Sequence, residues 1–212
     1  MAKIVPLIAL PIWARHSPRP RWFAAVVLTL LLIAAAPVVL TTGGIPPGLV
    51  TYGISWEFNG PLYEPAWRLL DTVGLSQAVK DGLDDLKQIT GRHELWNRFY
   101  PFVYPQLLAK LLLGGVFLAL WWRALRSAGV ITGSGRTFEA FLLCTATLYP
   151  WYLLWVLPWA ALARHRAWLA LQALVQLAYL PKLSGAPLFP WIFVSIWLPF
   201  FLLLGWSRWS TD

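Results

Sequence analysis

Polar side chains that suit a sugar ligand lie among aromatic residues in the stretch 41–103. The candidates are Glu57, Asn59, Glu64, Arg92, His93 and Glu94. Carboxylates and amides bind hydroxyl groups, and aromatic rings cover the apolar face of a sugar. A carboxylate such as Glu57 can also act as a general base. The alternative is a solvated loop whose charged residues form surface ion pairs.

Lys110 is a second candidate because it lies inside an apolar run, with Gln106 and Gly114 one turn away on the same helix face. A cation that faces lipid is costly. The side chain therefore either extends to the membrane interface or faces a cavity. In a cavity it can hold a lipid-linked phosphate.

A proline break between aromatic residues is the third feature. Tyr149, Pro150, Trp151 and Tyr152 follow one another within an otherwise apolar run. Polar aromatic residues of this kind can contact a sugar. The simpler interpretation is a kinked helix that carries part of an aromatic belt, and both interpretations stay open at this point.

Signatures of other chemistries are missing from the sequence. His16, His93 and His165 lack ligand-like spacing, and neither a phosphate loop nor a dinucleotide fingerprint occurs. We therefore expect no metal site and no cofactor. The net charge of +8 comes from basic residues in short turns beside apolar runs. That pattern is typical of membrane orientation, so nucleic acid is not an expected partner.

The composition indicates that a bilayer surrounds the elements that carry these residues. Of the 212 residues, 58% are hydrophobic and only 12% are charged, which is about half the charge of a soluble domain. Fifteen tryptophans fit an aromatic belt, a carbohydrate site, or both. The sequence therefore predicts an all-α membrane protein with the lipid bilayer as a partner.

Apolar runs predict about five to six transmembrane or half-membrane helices in one membrane domain, residues 1–212. The runs are 4–14, 22–40, 104–122, 137–163, 167–180 and 191–206. The first is long enough for only half a crossing. The run 137–163 is predicted to be a broken helical hairpin that turns at Pro150 and faces a site. The long outer loop 41–103 is predicted to contain short amphipathic helices within 64–86.

The basic turns predict the orientation of the chain. With the hairpin, one side of the membrane receives Arg15, Arg19, Arg21, Arg123, Arg126, Arg136, Arg164, Arg166 and Arg208. The positive-inside rule makes that side cytoplasmic. We therefore expect a multi-pass protein of the inner (plasma) membrane, with the loop 41–103 facing the periplasm or the exterior.

Three short motifs are spread over nearly the whole chain: Pro150-Trp151-Tyr152, Trp56-Glu57-Phe58-Asn59-Gly60 and Lys3-Ile4-Val5-Pro6-Leu7. Together they resemble motifs of polyprenyl-phosphate-sugar-dependent membrane glycosyltransferases of the GT-C class, in particular bacterial mannosyltransferase-like members of the family-87 kind. Such enzymes carry their catalytic carboxylate in the first outer loop, before the region that this chain resembles. The resemblance therefore implies a C-terminal half whose catalytic Asp lies upstream, or one piece of a split enzyme with a partner chain.

The resemblance implies that a hexose, with mannose as the expected sugar, passes from a polyprenyl-phosphate donor to an acceptor at the outer face. Substrate contacts are then expected from Trp56, Asn59, Arg92, His93, Glu94, Lys110, Tyr149, Trp151 and Tyr152. Glu57 is a weak substitute for the catalytic carboxylate, so activity of the chain alone is left open. Two other functions stay open: a non-catalytic membrane subunit that supports a partner enzyme, and a transporter or flippase fragment with the hairpin as a gate.

Overall fold

A computed structural model describes residues 5–44, 48, 50, 51, 55–127 and 129–209 of the chain. Its helices are α1 (Leu10–His16), α2 (Pro20–Thr42), α3 (Tyr63–Thr72), α4 (Leu75–Thr90), α5 (His93–Asn97), α6 (Pro105–Leu125), α7 (Val130–Cys144), α8 (Leu157–Leu162), α9 (Arg166–Leu174), α10 (Leu180–Ser184) and α11 (Phe193–Trp209). Short 3-10 segments are Val5–Ala9, Tyr100–Phe102, Pro150–Trp155 and Val175–Tyr179. A wider turn, Leu188–Ile192, leads into α11 through a kink at Phe189.

The described part of the chain is all-helical, as the sequence predicts, and three of its helices are long and apolar enough to cross a membrane. They are α2, α6 and the continuous stretch Leu188–Trp206. These helices indicate a membrane protein. The count of five to six spans stays a prediction, because the other apolar runs are divided into short helices. For example, α7 has 15 residues and is about 22 Å long, less than the roughly 30 Å of a hydrocarbon core.

The long helix α2 buries none of its residues against the rest of the described chain. It begins at Pro20, whose ring suits a first helical turn, and it ends at Gly43, which adopts a left-handed conformation with φ +67°. Its apolar side chains point in all directions, as expected for a helix surrounded by lipid or by another membrane segment.

Helices α6 and α7 form a closely packed pair, and the short N-terminal helix α1 packs against α7. Gly133 lies within α7. A Cβ added there would come 3.2 Å from both the Ala124 carbonyl oxygen and a methyl group of Ile12. This glycine therefore permits close helix contact rather than a chain reversal. Trp13 adds a hydrogen bond, because its Nε1 donates to Ser134 Oγ over 2.9 Å.

The chain doubles back after α7, so that the segment 150–162 runs antiparallel to α7. Phe138 stacks on Trp159 with ring centroids 6.3 Å apart, and Phe141 meets Trp155 edge to face at 6.0 Å. The reversal occurs over 145–149, where the backbone leaves the helix before Pro150.

The main core lies between this reversal and the helices α9 and α11. Trp168 and Phe200 are both buried there and meet edge to face at 4.9 Å. Within the loop 41–103, the structure contains α3 and α4, which occupy the region of the expected amphipathic helices. Helix α3 packs on α6 and buries Tyr63 completely.

Basic side chains from different turns meet at one end of the α6–α7 pair. Arg15 donates from Nη1 to the carbonyl oxygen of Leu125 over 2.6 Å, and Arg136 donates to Ser127 Oγ over 3.4 Å. The guanidinium of Arg126 lies 4.9 Å from the ring centroid of Trp122. The assignment of these turns to the cytoplasmic side stays a prediction.

Candidate functional site

Two chain segments cross at the opposite end of the α6–α7 pair, where α6 begins and α7 ends. The Phe58 amide donates to the Ala146 carbonyl oxygen over 3.0 Å, and the Leu148 amide donates to the Phe58 carbonyl oxygen over 2.7 Å. The Thr147 hydroxyl donates to the Trp56 carbonyl oxygen over 2.7 Å. These bonds hold the segment 56–60 against the segment 145–149. We call this place the crossing.

Gly60 makes the crossing possible because no side chain fits there. A Cβ at this position would lie 2.6 Å from the Thr145 carbonyl oxygen and 3.0 Å from the Ala146 carbonyl oxygen. Such distances are too short for a carbon atom, so the backbones approach this closely only at a glycine. The glycine of the Trp56–Gly60 motif therefore has a packing role.

Asn59 fixes the crossing to the C-terminal helix. It is fully buried, and its backbone has φ +53°, a left-handed conformation that asparagine tolerates better than most residues. Its Oδ1 accepts a hydrogen bond from Trp197 Nε1 over 2.9 Å. Asn59 therefore links α11 to the crossing. The substrate contact expected from the sequence stays a prediction.

Three aromatic rings form a continuous stack at the crossing. Tyr149 lies between Phe58 and Trp151, with centroid distances of 4.6 and 4.5 Å and interplanar angles of 16° and 4°. Trp56 and Tyr152 meet the Tyr149 ring edge to face at 6.4 and 6.0 Å. Trp56 and Trp151 are 47% and 48% exposed, so both offer surface to a ligand. The structure thus brings together the four aromatic residues that the sequence selected.

Lys110 and Glu57 form an ion pair beside the stack, with 2.9 Å between Nζ and Oε1. The Lys110 side chain is only 14% exposed and that of Glu57 is 30% exposed. The ammonium also lies 5.8 Å from the ring centroid of Tyr63. Lys110 therefore points toward protein groups, which favours the cavity interpretation of this intramembrane cation over extension to the interface.

The buried Tyr63 ring lies near the ion pair. Burial, followed by the neighbouring Glu57 carboxylate, raises the pKa of the Tyr63 hydroxyl well above its usual range. A tyrosine is protonated at neutral pH in any case, so the raised pKa extends the neutral form of this phenol further into alkali. A neutral hydroxyl group therefore lies near the Glu57 carboxylate.

A cavity of about 280 Å³ opens next to the ion pair. Its lining includes Trp56, Lys110, Leu113, Gly114, Phe117 and Phe141. The walls are mostly apolar and the charge lies at one place, Lys110. This combination suits an amphiphile whose anionic group meets Lys110 while its hydrocarbon lies between α6 and α7.

Lys182 is a functional candidate that the sequence prediction missed. Its Nζ lies 5.3 Å from the ring centroid of Tyr179 and 5.9 Å from that of Phe58, so a second cation borders the aromatic stack. A signal was available: Lys182 lies in a turn on the predicted outer side, where the positive-inside rule disfavours basic residues.

The remaining sequence candidates lie elsewhere. Arg92, His93 and Glu94 are exposed, and the helix α5 that they begin packs mainly against α4. Among the described residues, no hydrogen bond or ion pair joins them to Glu57 or Lys110. Glu64 pairs with Arg68 over 3.3 Å on α3. The guanidinium of Arg68, another residue that the sequence prediction missed, also covers the ring of Phe189 at 4.0 Å.

Metal ligands do not gather in the part of the chain that the structure describes: it contains no group of three or more His, Cys, Asp or Glu side chains placed to hold an ion. Comparisons of the chain with known proteins find no matching family model, no matching curated protein and no matching solved structure. The proposed function therefore rests on the crossing, the aromatic stack and the ion pair.

Proposed function

We propose that this chain is the donor-binding portion of a membrane glycosyltransferase that takes a hexose, with mannose as the expected sugar, from a polyprenyl-phosphate donor. One observation carries the proposal. The Trp56–Gly60 motif packs on the segment 145–149 beside a cavity lined by Lys110. Tyr149 stacks on both Phe58 and Trp151 and so connects this motif to the distant Pro150–Tyr152 motif. These are two of the three motifs that resemble motifs of such enzymes.

The donor has three chemical parts, and each has a matching surface. The phosphate suits the Lys110 ammonium, which can exchange its contact with Glu57 for a contact with phosphate oxygens. The sugar suits the exposed faces of Trp56 and Trp151. The first part of the prenyl chain suits the apolar walls of the cavity between α6 and α7. Glu57, released from Lys110, can then accept hydrogen bonds from sugar hydroxyls.

The reaction requires more than binding. An acceptor hydroxyl attacks the anomeric carbon, a new glycosidic carbon–oxygen bond forms, and the bond from that carbon to the phosphate oxygen breaks. The polyprenyl phosphate leaves with the bonding electrons, and a base takes the hydroxyl proton. Such enzymes use a carboxylate from another outer loop as the base. Glu57 is only a weak candidate for this base, because the resemblance places the catalytic carboxylate in that other loop.

A second candidate function is a non-catalytic membrane subunit that supports a partner enzyme. The observation that favours it is α2, whose residues remain uncovered in the described structure. A long apolar helix that buries none of its residues within the described chain is available to a membrane partner. The two functions are compatible if the partner supplies the catalytic carboxylate.

The test is binding followed by transfer. The purified chain in lipid nanodiscs is titrated with radiolabelled polyprenyl-phosphate-mannose and, separately, with polyprenyl phosphate. Trp151→Ala is expected to weaken binding of the sugar-bearing donor about tenfold, or about 1.4 kcal/mol, with a smaller effect on polyprenyl phosphate. Trp22→Ala on α2, an exposed tryptophan away from the crossing, is the control.

Transfer is then measured in two kinds of membranes. One contains the chain alone, and the other contains the chain together with the upstream segment or partner chain that is expected to supply the catalytic Asp. Sugar transfer that requires the chain supports the proposal. The proposal fails if the wild-type chain binds no polyprenyl-phosphate sugar, or if no combination transfers a hexose from any lipid-linked donor. Donor binding without transfer favours the subunit function.

A further inference from the structure

A second cavity, of about 500 Å³, lies between α6 and α7 toward their basic end. Its charged lining residues are Arg123, Arg136 and Glu139, and its apolar lining includes Leu120, Ala140 and Leu143. It is distinct from the cavity beside Lys110, which lies between the opposite ends of the same two helices. The donor-binding proposal does not use it.

Glu139 is the unusual member of this lining. It is a half-buried carboxylate in an apolar helix, and it lies one turn beyond Arg136 on α7. Positions i and i+3 on a helix face the same way, with roughly 5–6 Å between their Cβ atoms. The cavity wall therefore presents a guanidinium and a carboxylate a short distance apart, with Arg123 facing them from α6.

The charges of the lining are complementary to those of a zwitterionic lipid head group. A phosphodiester suits the two arginines, since guanidinium groups bind phosphate oxygens in a planar fork. A primary ammonium on a two-carbon arm suits Glu139. The apolar side chains of Leu120, Ala140 and Leu143 suit an acyl chain that continues toward the middle of the bilayer.

We propose that this cavity binds a phospholipid whose head group carries a primary ammonium, as in phosphatidylethanolamine. The phosphate contacts Arg123 and Arg136, the ammonium donates hydrogen bonds to Glu139, and one acyl chain lies along the apolar part of the cleft. A choline head group offers no N–H donor to the carboxylate, and a glycerol head group offers no cation, so both fit this lining less well.

Native mass spectrometry of the full chain, released from detergent, measures the affinity for each lipid. Phosphatidylethanolamine is expected to bind about tenfold more tightly than phosphatidylcholine or phosphatidylglycerol with the same acyl chains. Arg123→Ala and Arg136→Ala are each expected to weaken the binding of all three lipids about tenfold. Glu139→Gln is expected to remove the preference for phosphatidylethanolamine while phosphatidylglycerol still binds.

The control is Arg19→Ala, which removes an exposed arginine from the same predicted membrane side without touching the cavity. Soluble phosphoethanolamine is a competitor: if it displaces the lipid at equal concentration, the ligand is the soluble head group and the lipid proposal fails. The proposal also fails if the three lipids bind equally, if Glu139→Gln leaves the preference intact, or if the arginine variants change the oligomeric state instead of lipid affinity.

Discussion

Lys110 Nζ lies 2.9 Å from Glu57 Oε1, and this ion pair joins the membrane helix α6 to the segment that crosses the end of α7. Both partners are less than one-third exposed, so each is sheltered from the screening that weakens surface ion pairs. The pair places an ammonium and a carboxylate at the edge of an apolar cavity. Under the proposed function, this ammonium binds the phosphate of the lipid-linked sugar.

Lys110→Met should weaken donor binding by about ten- to a hundredfold, because the phosphate loses a charge-assisted contact worth about 1.5–3 kcal/mol. The affinity for polyprenyl phosphate, which lacks the sugar, should fall by the same factor. The matched control is Lys87→Met on α4, which removes another lysine paired at 2.9 Å, with Asp84. Equal donor affinity in the two variants would show that Lys110 does not hold the phosphate.

Gly60→Ala should destabilise the protein by about 1–3 kcal/mol, because the added methyl group overlaps the Thr145 carbonyl oxygen and forces the crossing apart. The measurement is the midpoint of thermal unfolding in detergent. Gly82→Ala is the control: it lies in α4 with open space around it, and alanine there should stabilise the helix by about 0.5–1 kcal/mol. A Gly60→Ala variant as stable as the wild type would mean that the segments do not approach this closely.

Asn59→Ala should cost about 1–3 kcal/mol, since it leaves the buried indole N–H of Trp197 without its acceptor and places alanine at a positive φ. Asn97→Ala at the exposed end of α5 is the matched control and should change stability little. Chemical unfolding in detergent gives both values. Similar losses in the two variants would remove the proposed link between the crossing and α11.

Stability should fall as the pH rises above about 10, in part because of Tyr63. Burial raises the pKa of Tyr63 in the folded state above the usual value of 10.0, so the unfolded chain releases this proton first and unfolding becomes easier in alkali. Each such proton contributes a slope of at most about 1.4 kcal/mol per pH unit. Tyr63→Phe should make the decline between about pH 10 and 11 shallower, as measured by urea unfolding. An unchanged slope would contradict this assignment.

The long apolar helices were predictable because their signal is local. An uninterrupted apolar run such as that of α2 needs no knowledge of the rest of the chain. The division of the later runs was harder to predict, since glycines that end a helix in one context allow close helix packing in another. Gly133 shows this, because it lies inside α7 against Ile12.

The candidate site was predictable as a list of residues but not as an arrangement. Glu57 and Lys110 were each selected for their chemistry, yet nothing in the local sequence indicates that they meet. The stack of Phe58 on Tyr149 depends on a crossing between segments far apart in the chain. Arg92 was selected for its proximity in sequence to other polar residues, and the fold carries it to the exposed end of α4.

The most direct test of the central claim is photocrosslinking with a polyprenyl-phosphate-mannose analogue that carries a diazirine on its first isoprene unit. Membranes containing the full chain are irradiated, and the labelled peptides are identified by mass spectrometry. We expect labels on α6 near Leu113 and Phe117 and on α7 near Phe141. Excess unlabelled donor and Lys110→Met should each reduce this labelling. Labels confined to α2, or labels that excess donor does not reduce, would contradict the claim that this cavity binds the lipid-linked sugar.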